Sequence, residues 1–388
     1  PQLSFVNNVM SEIANNYVVV DNADRLSGLP KTTIDAAAKL AADKGMAGKW
    51  VFTPSASTRL AVLTSADDRS LREEMYKTYM ATANRGNEFD NSKNINAILK
   101  LRQQKAKLLG FKTFADYAID PVMAKTVDAA ENLLLSIWKP AVKKVDEEVA
   151  DMQKYADAHG AGYKIEAWDY YYFAEKVKAE KYNFSEDDVR PYFKLENVVE
   201  NGLFFLANKL YGLTFTKMPK APKYNPEVTV YDVKDAKGKH VAVFMTDYYP
   251  RPVKAQGAWM MEMNQAYDFG GKSERPIIYN VCSFTAPTKD LPSLLTLDEV
   301  QTAFHEFGHA LNGMLTVAPY KGLEGTNIDR DFVELPSQLN EHWALVPEVL
   351  KNFAKHYKTG EVIPQELVDK LNESSKFNQG FITTELVG

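Results

Sequence analysis

His305-Glu306-Phe307-Gly308-His309 is the stretch on which the reading of this 388-residue chain turns. On an α-helix, residues four apart lie on one face about one turn from each other, so two imidazoles at this spacing offer a nitrogen each to a single metal ion. Glu306 stands roughly 100° around the helix from His305, near enough to hold a water beside that metal without binding it. The flanking residues support a helix. Thr296-Leu297-Asp298-Glu299 has the form of a capping box, and Val300, Phe304, Phe307, Leu311 and Met314 recur at alternating intervals of four and three. His305 and His309 flank that stripe, so one face is expected to anchor in the core while its neighbour carries the nitrogens. Gly308 weakens the helix by about 1 kcal/mol against alanine, and close approach of a second segment is the expected compensation.

Two histidines at helical spacing also arise by chance as ordinary core residues. Here the helix is capped and apolar, and a third potential donor, Glu334, follows 25 residues after His309 in Asp331-Phe332-Val333-Glu334, itself a helix-start pattern. Two helices joined by a loop would bring the three together. Two neutral imidazoles and a carboxylate leave one tetrahedral position open for water, which is the arrangement of a catalytic rather than a structural zinc site. The expected chemistry is peptide hydrolysis, with His305, His309 and Glu334 holding one Zn2+ and Glu306 acting as general base and proton shuttle. Gln338 reads equally as a partner behind a ligand histidine or as an exposed helical glutamine, and Asp331 as such a partner or an N-cap. His342 is expected to be packed rather than a fourth ligand.

Composition narrows the function classes. Basic and acidic residues, 46 and 51, are interspersed and sum to −5, with no basic block to neutralise a phosphate backbone, so nucleic acid is not an expected partner. No apolar run approaches the roughly 20 residues needed to cross a bilayer. Cys282 is the only cysteine, which excludes an internal disulfide, and its apolar strand-like setting reads as a buried hydrophobe. Apolar content of 45 % and charged content of 25 % are those of an ordinary soluble protein; a monomer is expected, with the cytoplasm the expected compartment and the periplasm an open alternative.

Most of the first 220 residues carry helical periodicity. Ser70-Leu71-Arg72-Glu73 predicts a helix start; Ile95, Ile98, Leu99, Ala106 and Leu109 mark one face of the next helix, which Gly110 stops; and Thr126 predicts a long helix kinked or split near Pro140. Between about 222 and 284 the period shortens. Val228–Val233 and Val241–Met245, separated by a polar turn with Gly238, predict a hairpin, and Ile277–Phe284 predicts a third strand whose edge could receive an extended peptide or which lies inside the sheet. Residues 1–65 read as the end of an N-terminal helical region and 66–388 as a catalytic domain incomplete at its C-terminus. Pro1 opens without a methionine or signal region, so a fragment is expected.

Leu109-Gly110-Phe111, Met123-Ala124-Lys125-Thr126, Gly257-Ala258-Trp259-Met260, Arg275–Cys282 and the run from Phe304 to Trp343 together resemble the thimet oligopeptidase family of zinc metallopeptidases. Asn340-Glu341-His342-Trp343 favours its bacterial peptidyl-dipeptidase (dipeptidyl carboxypeptidase) branch. The resemblance implies a mainly α, zincin-like fold with a small β-sheet or hairpin near the active site, and two lobes around a channel that admits short unstructured peptides. It implies release of C-terminal dipeptides, with His305, His309 and Glu334 as zinc ligands and Glu306 as base. The family's downstream histidine and tyrosines, which bind substrate and stabilise the oxyanion, would fall beyond Gly388, so no residue is assigned to substrate binding. The isolated chain is therefore expected to be weak or inactive, and a truncated peptide-binding remnant with an idle or structural metal is the alternative.

Overall fold

The computed structural model describes residues 1–183, 188–251, 254–255, 257–287 and 291–387. The fold is mainly α with a small mixed sheet, as expected. The chain divides into two compact units, Pro1–Asn183 with Glu373–Gly388, and Phe184–Asn372.

The first unit is helical apart from the antiparallel pair Val18–Val20 and Trp50–Phe52. Val18, Val20, Phe52, Val62, Leu71 and Met75 form one buried cluster. That cluster joins residues from both sides of position 65/66. The helix expected at Ser70 is Arg69–Met80 and begins earlier, because Asp68 rather than Ser70 accepts from the Leu71 N–H. Asp169, fully buried, holds this helix to the 3-10 turn Ala167–Asp169 through ion pairs with Arg69 at 2.8 Å and Arg72 at 2.9 Å.

Helix Ser92–Leu108 exists as predicted and Gly110 follows it in the left-handed region, at φ +84°. On the face those residues mark, Ala106 is enclosed, while Ile95, Leu99 and Leu109 are about half exposed. The long helix, Val127–Ala158, is capped by Thr126 and continues through Pro140, so of the kink or split expected there the split does not occur. Proline removes a single N–H there, and burial of Ala141, Glu148, Met152 and Ala156 holds the rest of the helix in place. The carboxylate of Glu148 accepts from the backbone N–H groups of Gly380 and Phe381, docking the helix Gln379–Val387 against it.

The second unit contains the sheet. Its strands are β1 (Thr214–Lys217), β2 (Thr229–Lys234), β3 (His240–Asp247), β4 (Trp259–Asn264) and β5 (Ile277–Val281), in the order β1-β2-β3-β5-β4. The predicted hairpin is β2–β3, its turn fixed by Asp235, which accepts from the N–H groups of Lys237 and Lys239. β5 pairs parallel with β3 and antiparallel with β4. It is thus an interior strand, and the peptide-accepting edge entertained for Ile277–Phe284 is corrected; the outer strand on that side is β4.

At the end of β3 a buried knot forms. Asp247 pairs with Arg251 and Lys254, and Lys254 also donates to the carbonyls of Asp247, Tyr249 and Cys282. Cys282 itself is fully enclosed, as expected, and its N–H donates to the Asp247 carbonyl.

The helix Leu297–Leu315 carries the histidines and begins with the predicted capping box, Thr296 with Glu299. Val300, Phe304, Phe307, Leu311 and Met314 are buried as the spacing requires. Phe307 meets Phe244 of β3 edge to face at 5.6 Å, and Phe204 stacks on Phe215 of β1 at 4.0 Å beside them. Each such ring contributes about 1.5–3 kcal/mol by leaving water, and together they fix the helix on the sheet.

Candidate metal centre

The helix Leu335–Glu341 crosses the histidine helix at Gly308. A Cβ at that position would stand 2.7 Å from the Pro336 carbonyl oxygen and 2.7 Å from Cα of Ser337, so only glycine permits this approach. Asn340 secures the crossing by donating to the Phe304 carbonyl at 2.5 Å. Glu334 caps the second helix and thereby arrives at the histidines. Its Oε2 lies 3.2 Å from Nε2 of His305 and 3.1 Å from Nε2 of His309. One donor atom from each of the three residues falls within 4.8 Å of the others.

Those separations suit a metal. Donors about 2.0–2.1 Å from a tetrahedral ion lie about 3.3 Å from one another, close to the two distances observed. Two imidazoles and one carboxylate form a donor set that divalent first-row metals accept. Ser337 donates to the Glu334 carboxylate at 2.8 Å. Burial works against the Glu334 charge, but this bond and the two histidines hold its carboxyl below the ordinary glutamate range.

Behind the site the imidazoles differ. Nδ1–H of His305 donates to Oε1 of Glu341 at 2.5 Å, a contact that fixes the tautomer and leaves the lone pair of Nε2 free to bind a metal. Nδ1 of His309 has no hydrogen-bond partner among the described residues, and burial pushes this imidazole down against the opposing pull of Glu334. Glu306 is 5 % exposed and its Oε2 has no partner among the described residues. Burial raises its carboxyl to about 7, with His305 opposing the rise and Glu334 adding to it.

The role entertained for Gln338 is filled by another residue. Gln338 is exposed, and the carboxylate behind His305 belongs to Glu341. Asp331 is exposed in the turn before Glu334 and is not the cap of the following helix. His342 is exposed and lies outside the donor group. Sequence reading missed Glu341, although its position seven residues after Glu334, close to two helical turns, was the available signal.

The sequence pattern of peptidase family M3 matches residues 62–387. The chain belongs to that family. M3 relatives include the dipeptidyl carboxypeptidase of Salmonella typhimurium, 38 % identical over 96 % of this chain and 54 % of that protein. Oligopeptidase A of Escherichia coli is 34 % identical, covering 98 % and 57 %. The organellar oligopeptidase A of Arabidopsis thaliana is 37 % identical, covering 97 % and 49 %. The chain thus spans about half the length of the curated M3 relatives it matches. Among the described residues, no helix is long and apolar enough to cross a membrane.

Proposed function

We propose that this chain carries the catalytic centre of a zinc-dependent M3 peptidase that hydrolyses short unstructured peptides, releasing dipeptides from their C-termini. The observation that carries the reading is the convergence of His305, His309 and Glu334 on one point, with the buried Glu306 beside His305 on the same helix. The dipeptide product rests on the name of the Salmonella relative.

Zinc held by those three residues would supply Lewis acidity, polarising the scissile carbonyl and making a water easier to deprotonate. Glu306 takes the proton from the attacking water and returns it to the leaving amine. A carboxyl raised by burial is suited to both tasks, because its proton affinity lies close to neutrality. Glu341 holds His305 with Nε2 facing Glu334. β4, which lies against the histidine helix at the sheet's margin, offers main-chain groups to an extended peptide.

The test pairs metal analysis with cleavage of a blocked tetrapeptide. The parent is expected to cleave weakly, and Glu306→Gln to retain one zinc per chain and to lower that weak cleavage further, by about 10²–10⁴-fold. Zinc retained in both proteins without cleavage in either supports a peptide-binding remnant, and absence of zinc from the parent removes the proposal.

A further inference from the structure

Away from the histidines, a second group of carboxyl oxygens is enclosed without partners. Glu324 lies in the loop that joins the histidine helix to Glu334; it is 2 % exposed, and neither of its carboxyl oxygens has a hydrogen-bond partner among the described residues. Glu262, on β4, buries its Oε1 with no partner either. Burial, then the charge of Glu324, pushes the Glu262 carboxyl up, against a hydrogen bond with Gln265 that pulls it down. Lys321 in the same loop pairs with Glu274 instead.

Three elements meet at this point. Glu262 Oε1 would lie 2.0 Å from a Cβ built on Gly325 and 3.5 Å from one on Gly313, so its carboxylate is wedged between the loop and the end of the histidine helix. The Gly325 carbonyl accepts from Asn312 at 2.8 Å and its N–H donates to Thr316 Oγ1 at 3.2 Å. Glu262 thus lies against the backbone of the Gly325 turn, with Ile278 Cδ1 and Met260 Cε also close to Gly313. Burying one carboxylate unpaired is strongly unfavourable, and placing two together is worse. A hard cation that collects about 6–8 oxygens at about 2.3–2.6 Å resolves both problems.

We propose that Glu262 and Glu324 form a second cation site, for a hard divalent ion of the calcium type, that ties the loop to β4 and to the histidine helix. Glu324 precedes Glu334 by ten residues, so occupancy pins the start of the segment that delivers the third donor to the metal centre. The competing arrangement is a proton shared between the two acids, which needs no metal and gives no response to calcium.

The test titrates calcium chloride at neutral pH into the parent, Glu262→Gln, Glu324→Gln and His309→Ala, reading binding by calorimetry and Tm by thermal unfolding, with circular dichroism to verify that each variant is folded. The expected result is one calcium per chain and a calcium-dependent rise in Tm in the parent and in His309→Ala, with binding about tenfold or more weaker in each glutamine variant. No saturable binding by the parent at millimolar calcium overturns the proposal. So does binding that both glutamine variants keep, or that His309→Ala alone loses. A Glu324→Gln protein with a higher Tm than the calcium-free parent, where the parent shows no calcium response, identifies the shared proton instead.

Discussion

At Glu306 two influences oppose each other. Burial raises the carboxyl to about 7, whereas a cation held by His305, His309 and Glu334 favours the ionised form. The geometry that keeps such a cation in place depends on Glu341, whose contact with Nδ1 orients His305. Glu341→Gln preserves size and removes charge, so zinc affinity is expected to fall about 10–100-fold, as read by competition with a chelator. Affinity equal to the parent's would mean that His305 is oriented by something else. The pentad from His305 to His309 was legible because its meaning is local and helical. Glu341 was not, because it lies 36 residues from His305 and its role exists only once two helices cross.

Among elements, that crossing is the decisive contact, and Gly308 tests it. In an isolated helix Gly308→Ala would stabilise by about 1 kcal/mol. Here the added methyl meets backbone atoms of Pro336 and Ser337, so a net loss of about 1–3 kcal/mol is expected in urea unfolding, together with weaker zinc retention. A more stable variant would show that the helices part easily. The histidine helix and the β2–β3 hairpin were readable from sequence because cap, period and turn agreed. β1 and β4 escaped notice for a physical reason: Thr214–Lys217 is too short and too exposed to declare a period, and Trp259–Asn264 is rich in methionine with a glutamate and has no β-branched residue. The Ser70 start was misplaced because Asp68, two residues earlier, is the stronger cap acceptor in this context.

For the molecule as a whole, the two units and their boundaries were not legible, since the core around Val18, Phe52, Val62 and Leu71 joins segments without any change in composition. Resistance to acid is expected to reside in the knot at the end of β3. Burial alone would raise the Asp247 carboxyl, but hydrogen bonds from Arg251, Lys254 and Tyr224 outweigh it and hold the group at about 2, against an ordinary 3.8. A depressed carboxyl stabilises the fold above its unfolded value and loses that contribution as pH falls through the folded one. Parent and Asp247→Asn should therefore differ by about 2 kcal/mol or more at neutral pH, the gap narrowing from about pH 4 toward about 2 when denaturant midpoints are compared. A gap independent of pH would exclude this origin.

The same knot encloses the chain's single sulfhydryl. Cys282 has no exposed surface, and Lys254 grips its carbonyl from the other side of the turn. A maleimide can reach that sulfur only during moments when the sheet's parallel seam comes apart, so alkylation serves as a clock for transient opening of the unit that holds the histidines. Adduct formation followed by mass spectrometry should be slow in the parent and faster in Asp247→Asn; equal rates would mean that the seam opens without the knot being undone.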